Sequence, residues 1–144
     1  MIVADASAVL VALTVDADAG DAVRAQLVDG GPLHAPHVVD LEVLSAIRGL
    51  ASAGKLDDRR AAQALQDWVD TLVVRYAHHP FARRIWELRH NLTTHDAVYV
   101  ALAETLGCPL LTADEAFRKT PAVGCEVILV RPSGGVGYGQ SRIV

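Results

Sequence analysis

Aromatic residues, cysteines and long apolar runs are all scarce in this chain. Aromatics make up 5% of its 144 residues, whereas hydrophobic residues make up 51%. The core must therefore be built mainly from Val, Leu, Ile and Ala, which is typical of helices packed on a buried parallel sheet. No apolar run approaches the roughly 18 residues of a membrane-spanning helix. The length fits one compact domain.

The two cysteines, Cys108 and Cys125, are too few for a disulfide framework. No spacing of Cys and His residues resembles a zinc site, which argues against a structural metal. The apolar N-terminal segment contains Asp5 and has no basic region before it, so it does not resemble a signal peptide. We therefore expect a cytoplasmic protein with reduced, buried thiols.

The chain also lacks the positive charge that would attract nucleic acid in bulk, because its net charge is -4. A local basic patch is still compatible with this balance. Candidate phosphate contacts are Arg83, Arg84, Arg89, Arg118 and Lys119. Taken singly, each of these residues fits a solvated charged face equally well.

Predicted strands alternate with predicted helices along most of the chain. Short aliphatic runs predict strands at 1–4, 33–35, 73–76, 109–112 and 126–130. Helical periodicity and caps predict helices at 6–13, 19–27, 38–53, 56–72 and 80–89, and a further helix that is capped by Thr93 or Thr94 and ends at Leu106. This alternation predicts an α/β fold with a central parallel sheet and helices on both faces. We expect one domain over 1–132 and a Gly-rich tail, disordered or peripheral, over 133–144.

Two acidic residues follow predicted strands closely. Asp5 comes directly after the first strand, and Asp114 comes just after the strand at 109–112. In open α/β sheets, ligands bind at the carboxyl ends of the strands, so both side chains are expected at that edge. Each residue alone fits a helix N-cap equally well, because a helix follows in both cases.

Two more acids lie near helix starts. On a helical wheel, Glu42 shares a face with small residues, which indicates a crevice wall that something approaches closely; solvent exposure of that face is the alternative. Asp96 opens a helix that is apolar nearly all round and is therefore buried. The spacing from Thr93 to Asp96 also resembles a capping box, which is compatible with a ligand role.

The four acids together indicate more than each one does alone. Gathered at one edge without a counterion, they would repel one another and raise each other's pKa values. A divalent cation relieves that repulsion, and oxygen-only ligands favour Mg²⁺ or Mn²⁺ over zinc. Mg²⁺ held by a few carboxylates is an arrangement that is typical of phosphate chemistry.

Four segments that contain these acids occur in a specific order. They are IVADASA at 2–8, PHVVDLEV at 36–43, THDAVYVALA at 94–103 and LTADEAF at 111–117. With these motifs the chain resembles PIN-domain proteins, and in particular the VapC toxins of bacterial toxin–antitoxin pairs. The resemblance runs from Met1 to about residue 132 and leaves only the tail unmatched.

The resemblance implies a Mg²⁺- or Mn²⁺-dependent endoribonuclease that cuts structured RNA, commonly tRNA or rRNA, and so inhibits translation. The family's metal-binding acids fall on Asp5, Glu42, Asp96 and Asp114, and its supporting hydroxyls fall on Ser7 and Thr112. The implied products carry 5′-phosphate and 3′-hydroxyl ends. The implied assembly is a homodimer with a cognate VapB-like antitoxin, in a heterotetramer or larger complex.

The motifs depart from the family at His95, where many relatives have an aromatic residue. Two interpretations of His95 stay open: it faces solvent at the start of the helix, or it contacts RNA. Two other functions are also compatible with the residues. A phosphotransfer domain would use Asp5 and need a lysine near the late strands, for which Lys119 is the candidate. A non-catalytic binding module would use the acids only as caps.

Overall fold

The computed structural model describes residues 1–16, 18–29 and 31–131. The tail predicted over 133–144 and the domain end predicted at 132 lie outside these residues, so both stay predictions. No helix in the described part combines the length and the apolar character that crossing a membrane requires.

One five-stranded parallel sheet lies at the centre of the described residues, in the order β3-β2-β1-β4-β5. Its strands are β1 (Ile2–Ala4), β2 (Leu33–Pro36), β3 (Val73–Tyr76), β4 (Leu110–Thr112) and β5 (Val127–Leu129). On the central strand, Val3 pairs with His34 of β2 and with Leu110 of β4. The predicted parallel sheet is confirmed.

The helices form two connected groups around this sheet. They are α1 (Ala6–Thr14), α2 (Asp18–Asp29), α3 (Val38–Ser52), α4 (Asp58–Asp70), α5 (Ala82–Leu88), α6 (Thr94–Leu106) and α7 (Glu115–Lys119). In the first group, α1, α3 and α4 contact one another and α2 packs on α1. In the second group, α5 packs on α6, which contacts β1, β2 and β4.

Both faces of the sheet are covered. Every residue of β1, β2 and β4 is buried. Because successive side chains of a strand point to opposite faces, burial of all of them requires cover on each side. On α6 the unbroken run 97–103 is buried, as expected for a helix that is apolar nearly all round.

Two predicted helix starts are wrong by two residues each. The helix predicted at 56–72 begins at Asp58, because the side chain of Asp57 accepts a hydrogen bond from the backbone N–H of Arg60 at 2.8 Å and so forms the N-cap. The helix predicted from Pro80 begins instead at Ala82, after a 3₁₀ turn at His79–Phe81. Local caps and tighter turns set these ends, and hydrophobic periodicity does not report them.

The strand order creates a crevice next to β1. β2 and β3 lie on one side of β1, whereas β4 and β5 lie on the other. The chain therefore leaves β1 and β4 in opposite directions, which opens a cleft between their carboxyl ends. Asp5 follows β1 directly, and Asp114 follows β4 after one intervening residue.

Candidate active site

Asp5 is the most buried acid at this edge, with a residue exposure of 6%. Its Oδ1 accepts hydrogen bonds from the hydroxyl of Ser7 at 2.7 Å and from the backbone N–H of Ala8 at 3.0 Å. Its Oδ2 accepts a hydrogen bond from the hydroxyl of Thr112 at 2.7 Å. Asp5 therefore caps α1 and, at the same time, is held from the neighbouring strand β4.

The two hydroxyls that hold Asp5 are themselves held by the backbone after β4. The N–H of Ala113 donates to Ser7 Oγ at 2.8 Å, and the N–H of Asp114 donates to Thr112 Oγ1 at 2.9 Å. Asp114 then caps α7, because its Oδ1 accepts from the N–H of Ala116 at 2.8 Å. These bonds join the ends of β1 and β4 into one rigid unit.

Glu42 lies in the second turn of α3 and is half-buried. Its Oε2 accepts a hydrogen bond of 2.5 Å from the hydroxyl of Tyr99 on α6. The sequence reasoning missed Tyr99. A signal was present, because Tyr99 lies three residues after Asp96 and so shares its helix face, in a run that is otherwise apolar.

Asp96 lies in the first turn of α6 and is also half-buried. Thr93 is the N-cap of this helix, as predicted: its hydroxyl accepts from the N–H of Asp96 at 3.1 Å and donates to Asp96 Oδ2 at 2.7 Å. The carboxylate is thus oriented by the same residue that begins the helix. Its second oxygen, Oδ1, has no hydrogen bond within the described residues.

The four acids affect one another electrostatically. Burial raises the pKa of Asp5 from 3.8 to about 6, and the charge of Asp96 contributes to this increase. Burial is also the main reason that the pKa of Glu42 is raised, and the charges of Asp5 and Asp96 raise it further. The pKa of Asp96 is raised by burial and, to a smaller extent, by the charge of Asp114. The structure therefore brings all four predicted acids to one region.

The chemistry of this donor set fits a hard divalent cation. Carboxylate oxygens are the ligands that Mg²⁺ and Mn²⁺ prefer, and such a cation removes both the repulsion and the burial cost of the negative charges. Within the described residues, no three His, Cys, Asp or Glu side chains are already arranged as a group that could hold an ion. An ion would therefore be held partly through water, or after a less restrained carboxylate such as that of Asp96 turns towards it.

Comparison with known proteins identifies the family of this chain. Residues 2–123 match the model of the PIN domain. The chain belongs to the PIN-domain family. It is 44% identical over 130 residues to ribonuclease VapC9 of Mycobacterium tuberculosis, which covers 90% of this chain and 98% of that protein. It is 39% identical over 134 residues to ribonuclease VapC1 of the same species, which covers 90% of this chain and 97% of that protein.

Solved structures show the same PIN fold. VapC20 of Mycobacterium tuberculosis, described as a Sarcin-Ricin loop cleaving toxin, superposes with a TM-score of 0.59 at 22% identity and covers 92% of this chain and 100% of its own. The VapBC2 complex of Rickettsia felis, bound to a DNA fragment from its promoter, contains a chain that superposes with a TM-score of 0.64 at 12% identity. That match covers 91% of this chain and 100% of the other.

His95 is exposed on the PIN domain beside the acidic cluster. Its charge lowers the pKa of Glu42 and of Asp96, although among the described residues it forms no hydrogen bond with either acid. This placement agrees with the predicted solvent-facing position. The prediction of an RNA contact at this residue stays untested.

The basic residues proposed as phosphate contacts divide into two groups in the PIN domain. Arg84 is not available, because it donates to Glu104 at 2.8 and 2.9 Å, to Glu87 at 3.0 Å and to the carbonyl of Ala122 at 2.8 Å. Its guanidinium ties α5 to α6. Arg83, Arg89, Arg118 and Lys119 are exposed.

The phosphotransfer alternative is not favoured by the arrangement in this PIN domain. The lysine that this alternative needs, Lys119, is 3.0 Å from Glu115 and pairs with it on the exposed side of α7.

Proposed function

We propose that this chain is a Mg²⁺- or Mn²⁺-dependent endoribonuclease of the VapC type, which cuts structured RNA such as tRNA or rRNA and thereby inhibits translation. The relatives that carry the name ribonuclease match nearly their whole length, which supports the activity. VapC20, which is a Sarcin-Ricin loop cleaving toxin, supports a structured RNA as substrate. We place the action in the cytoplasm, where such RNAs are found.

The observation that carries the proposal is that the charges of Asp5 and Asp96 raise the pKa of Glu42, while the charge of Asp114 raises that of Asp96. Asp5, Glu42, Asp96 and Asp114 are the residues that would hold the cation. When bound, a divalent cation of this kind activates a water and stabilises negative charge on the leaving oxygen. Without a counterion, a cluster of buried carboxylates does not contribute to packing, because burial raises the free-energy cost of ionising each of them.

The surrounding hydroxyls have a positioning role in the proposal. Ser7 and Thr112 fix the two oxygens of Asp5, so its carboxylate keeps one orientation. Tyr99 and Thr93 do the same for Glu42 and Asp96, respectively. A hydrogen bond to the charged form lowers the pKa, so these hydroxyl donors partly offset the increase in pKa that burial causes.

The proposal is tested by RNA cleavage with the Asp96→Asn variant and a matched control, Asp58→Asn. Asp58 is an exposed acid in the first turn of α4 with no hydrogen bond or ion pair among the described residues. We expect Asp96→Asn to lower the Mn²⁺-dependent cleavage rate by about a hundredfold or more, while Asp58→Asn cuts at the parent rate. Mapping of the RNA ends should show 5′-phosphates. Cleavage by Asp96→Asn at the parent rate would remove Asp96 from the metal site.

We extend the proposal to the partners. The chain would bind a VapB-like antitoxin, which the VapBC2 complex of Rickettsia felis supports. We further propose that it forms a homodimer and, with the antitoxin, a heterotetramer or larger complex. Exposed apolar side chains support a protein partner: Leu65 and Val69 lie one turn apart on α4 at 41% and 65% exposure, and Leu41 on α3 is 66% exposed. Exposed apolar side chains of this kind are contacts that an amphipathic antitoxin helix could bury.

A further inference from the structure

A basic pocket lies between α7 and the end of β5, and it encloses about 270 Å³. It is lined by Arg118, Lys119, Arg131 and Glu115, which we call the α7–β5 pocket. We propose that this pocket binds a backbone phosphate of the RNA strand next to the one that is cut. The inference rests on the proposed ribonuclease function and adds a substrate-binding site to it.

The fold places the α7–β5 pocket beside the acidic cluster. α7 begins immediately after Asp114, which caps it. On the other side, the N–H of Val130 donates to the carbonyl of Thr112 at 2.8 Å, and Arg131 is the next residue. Because the hydroxyl of the same Thr112 holds Asp5, one residue of β4 connects the pocket to the most buried acid.

The charges in the pocket favour an anion. Three cationic side chains line the pocket with a single carboxylate, that of Glu115. Lys119 is 3.0 Å from that carboxylate. Among the described residues, neither Arg118 nor Arg131 forms an ion pair, so two guanidinium groups remain available for phosphate oxygens.

RNA is the anion that best fits the position of this pocket beside the acidic cluster. A polyanion that approaches four carboxylates in a chain of net charge -4 is repelled unless positive charge lies along its path. Two of the other arginines are paired with carboxylates elsewhere: Arg75 pairs with Asp40 at 2.7 Å and Arg84 pairs with Glu104 at 2.8 Å. In the α7–β5 pocket, Arg118 and Arg131 are unpaired among the described residues, and they lie at the edge of the sheet that the RNA must reach in order to be cut.

The test is RNA binding without cleavage, with a fluorescein-labelled single-stranded oligoribonucleotide in EDTA. Arg131→Ala and Arg118→Ala are compared with Arg59→Ala as a matched control. Arg59 is exposed on α4 and has no ion pair among the described residues. Its neighbour Arg60 pairs with Asp16, which lies beyond the C-terminal end of α1, whereas Asp5 lies at the N-terminal end of that helix. Thermal melts of all variants show that the fold is retained, which is expected for exposed side chains.

We expect each pocket variant to weaken RNA binding by about twofold to tenfold. The slope of log affinity against log salt should fall by about 0.7 for each lost contact to a single-stranded phosphate. Arg59→Ala should leave both quantities unchanged. Glu115→Gln should instead tighten RNA binding, because it releases Lys119 from its ion pair. A purely structural role of the pocket does not predict tighter binding.

The proposal is overturned if Arg131→Ala and Arg118→Ala bind the RNA with the affinity and salt slope of the parent. It is equally overturned if the variants weaken binding of a VapB-like antitoxin but not of RNA, since the pocket would then serve a protein partner. The proposed function fails separately, in the cleavage assay with Asp96→Asn. Because the binding assay contains no metal and needs no cleavage, the two failures are distinguishable.

Discussion

The buried carboxyl of Asp5 makes the metal-free protein less stable as the pH rises. Its pKa is about 6 in the folded protein and 3.8 is the ordinary value. Between these values the folded state holds a proton that the unfolded chain has released, so stability falls as pH increases. A difference of about two pKa units corresponds to about 3 kcal/mol, which is fully lost above about pH 7.

The Asp5→Asn variant removes this titration with little change of shape. The amide oxygen can still accept from the N–H of Ala8, and the amide nitrogen can donate to the hydroxyl of Thr112. We therefore expect the free energy of unfolding of Asp5→Asn to vary less with pH than that of the parent. Relative to the parent, the variant should gain up to about 3 kcal/mol between about pH 4 and pH 8.

Urea denaturation in EDTA, repeated across this pH range, measures the effect. Asp58→Asn serves as the control, because its exposed side chain should give the pH dependence of the parent. Addition of Mn²⁺ at neutral pH should stabilise the parent but have a much smaller effect on Asp5→Asn, since a ligand that binds only the folded state stabilises it. Parallel stability curves of the parent and Asp5→Asn in EDTA would refute the reasoning that burial of this carboxyl opposes its ionisation.

Two further substitutions test single contacts. Tyr99→Phe removes the hydrogen bond to Glu42 and should cost about 1 to 3 kcal/mol at pH 8. The cost should be smaller at pH 5, where Glu42 takes up a proton more readily; an equal cost at both pH values in urea denaturation contradicts this. Arg84→Ala should cost about 1 to 2 kcal/mol at pH 7 because it leaves Glu104 with the N–H of Gly124 alone. This loss of stability should become smaller as the pH falls below 4.5, since Arg84 lowers the pKa of Glu104. The RNA affinity of Arg84→Ala in EDTA should equal that of the parent. A lower affinity would mean that Arg84 contacts the substrate.

The fold class was predictable because its signals are local. Alternation of aliphatic runs with helical periodicity requires only neighbouring residues, and it predicted all five described strands and the helical segments between them. The N-cap roles of Asp5, Thr93 and Asp114 are confirmed for the same reason, since a cap interacts with residues two or three positions away. Helix starts at Asp58 and Ala82 were missed, because a cap or a tight turn shifts them without changing the pattern.

The roles of the basic residues were less predictable. Nothing in the sequence distinguishes Arg84 from Arg118 as a phosphate contact. In the structure, Arg84 pairs with Glu104, 20 residues away, whereas Arg118 lines an open pocket. Arg131 was not singled out at all, since nothing near it in sequence marks it as part of a site. Its position follows from the pairing of β5 with β4.

The sequence by itself determined the α/β architecture, the family and the four acids that end up at one edge. The tertiary structure decided which partner each acid has. Thr112 reaches Asp5 across 107 residues and Tyr99 reaches Glu42 across 57 residues, and both contacts depend on the strand order and on how α3 and α6 are placed. The physical reason is range: periodicity and capping act over a few residues, whereas burial, charge coupling and long-range hydrogen bonds exist only after the chain has packed.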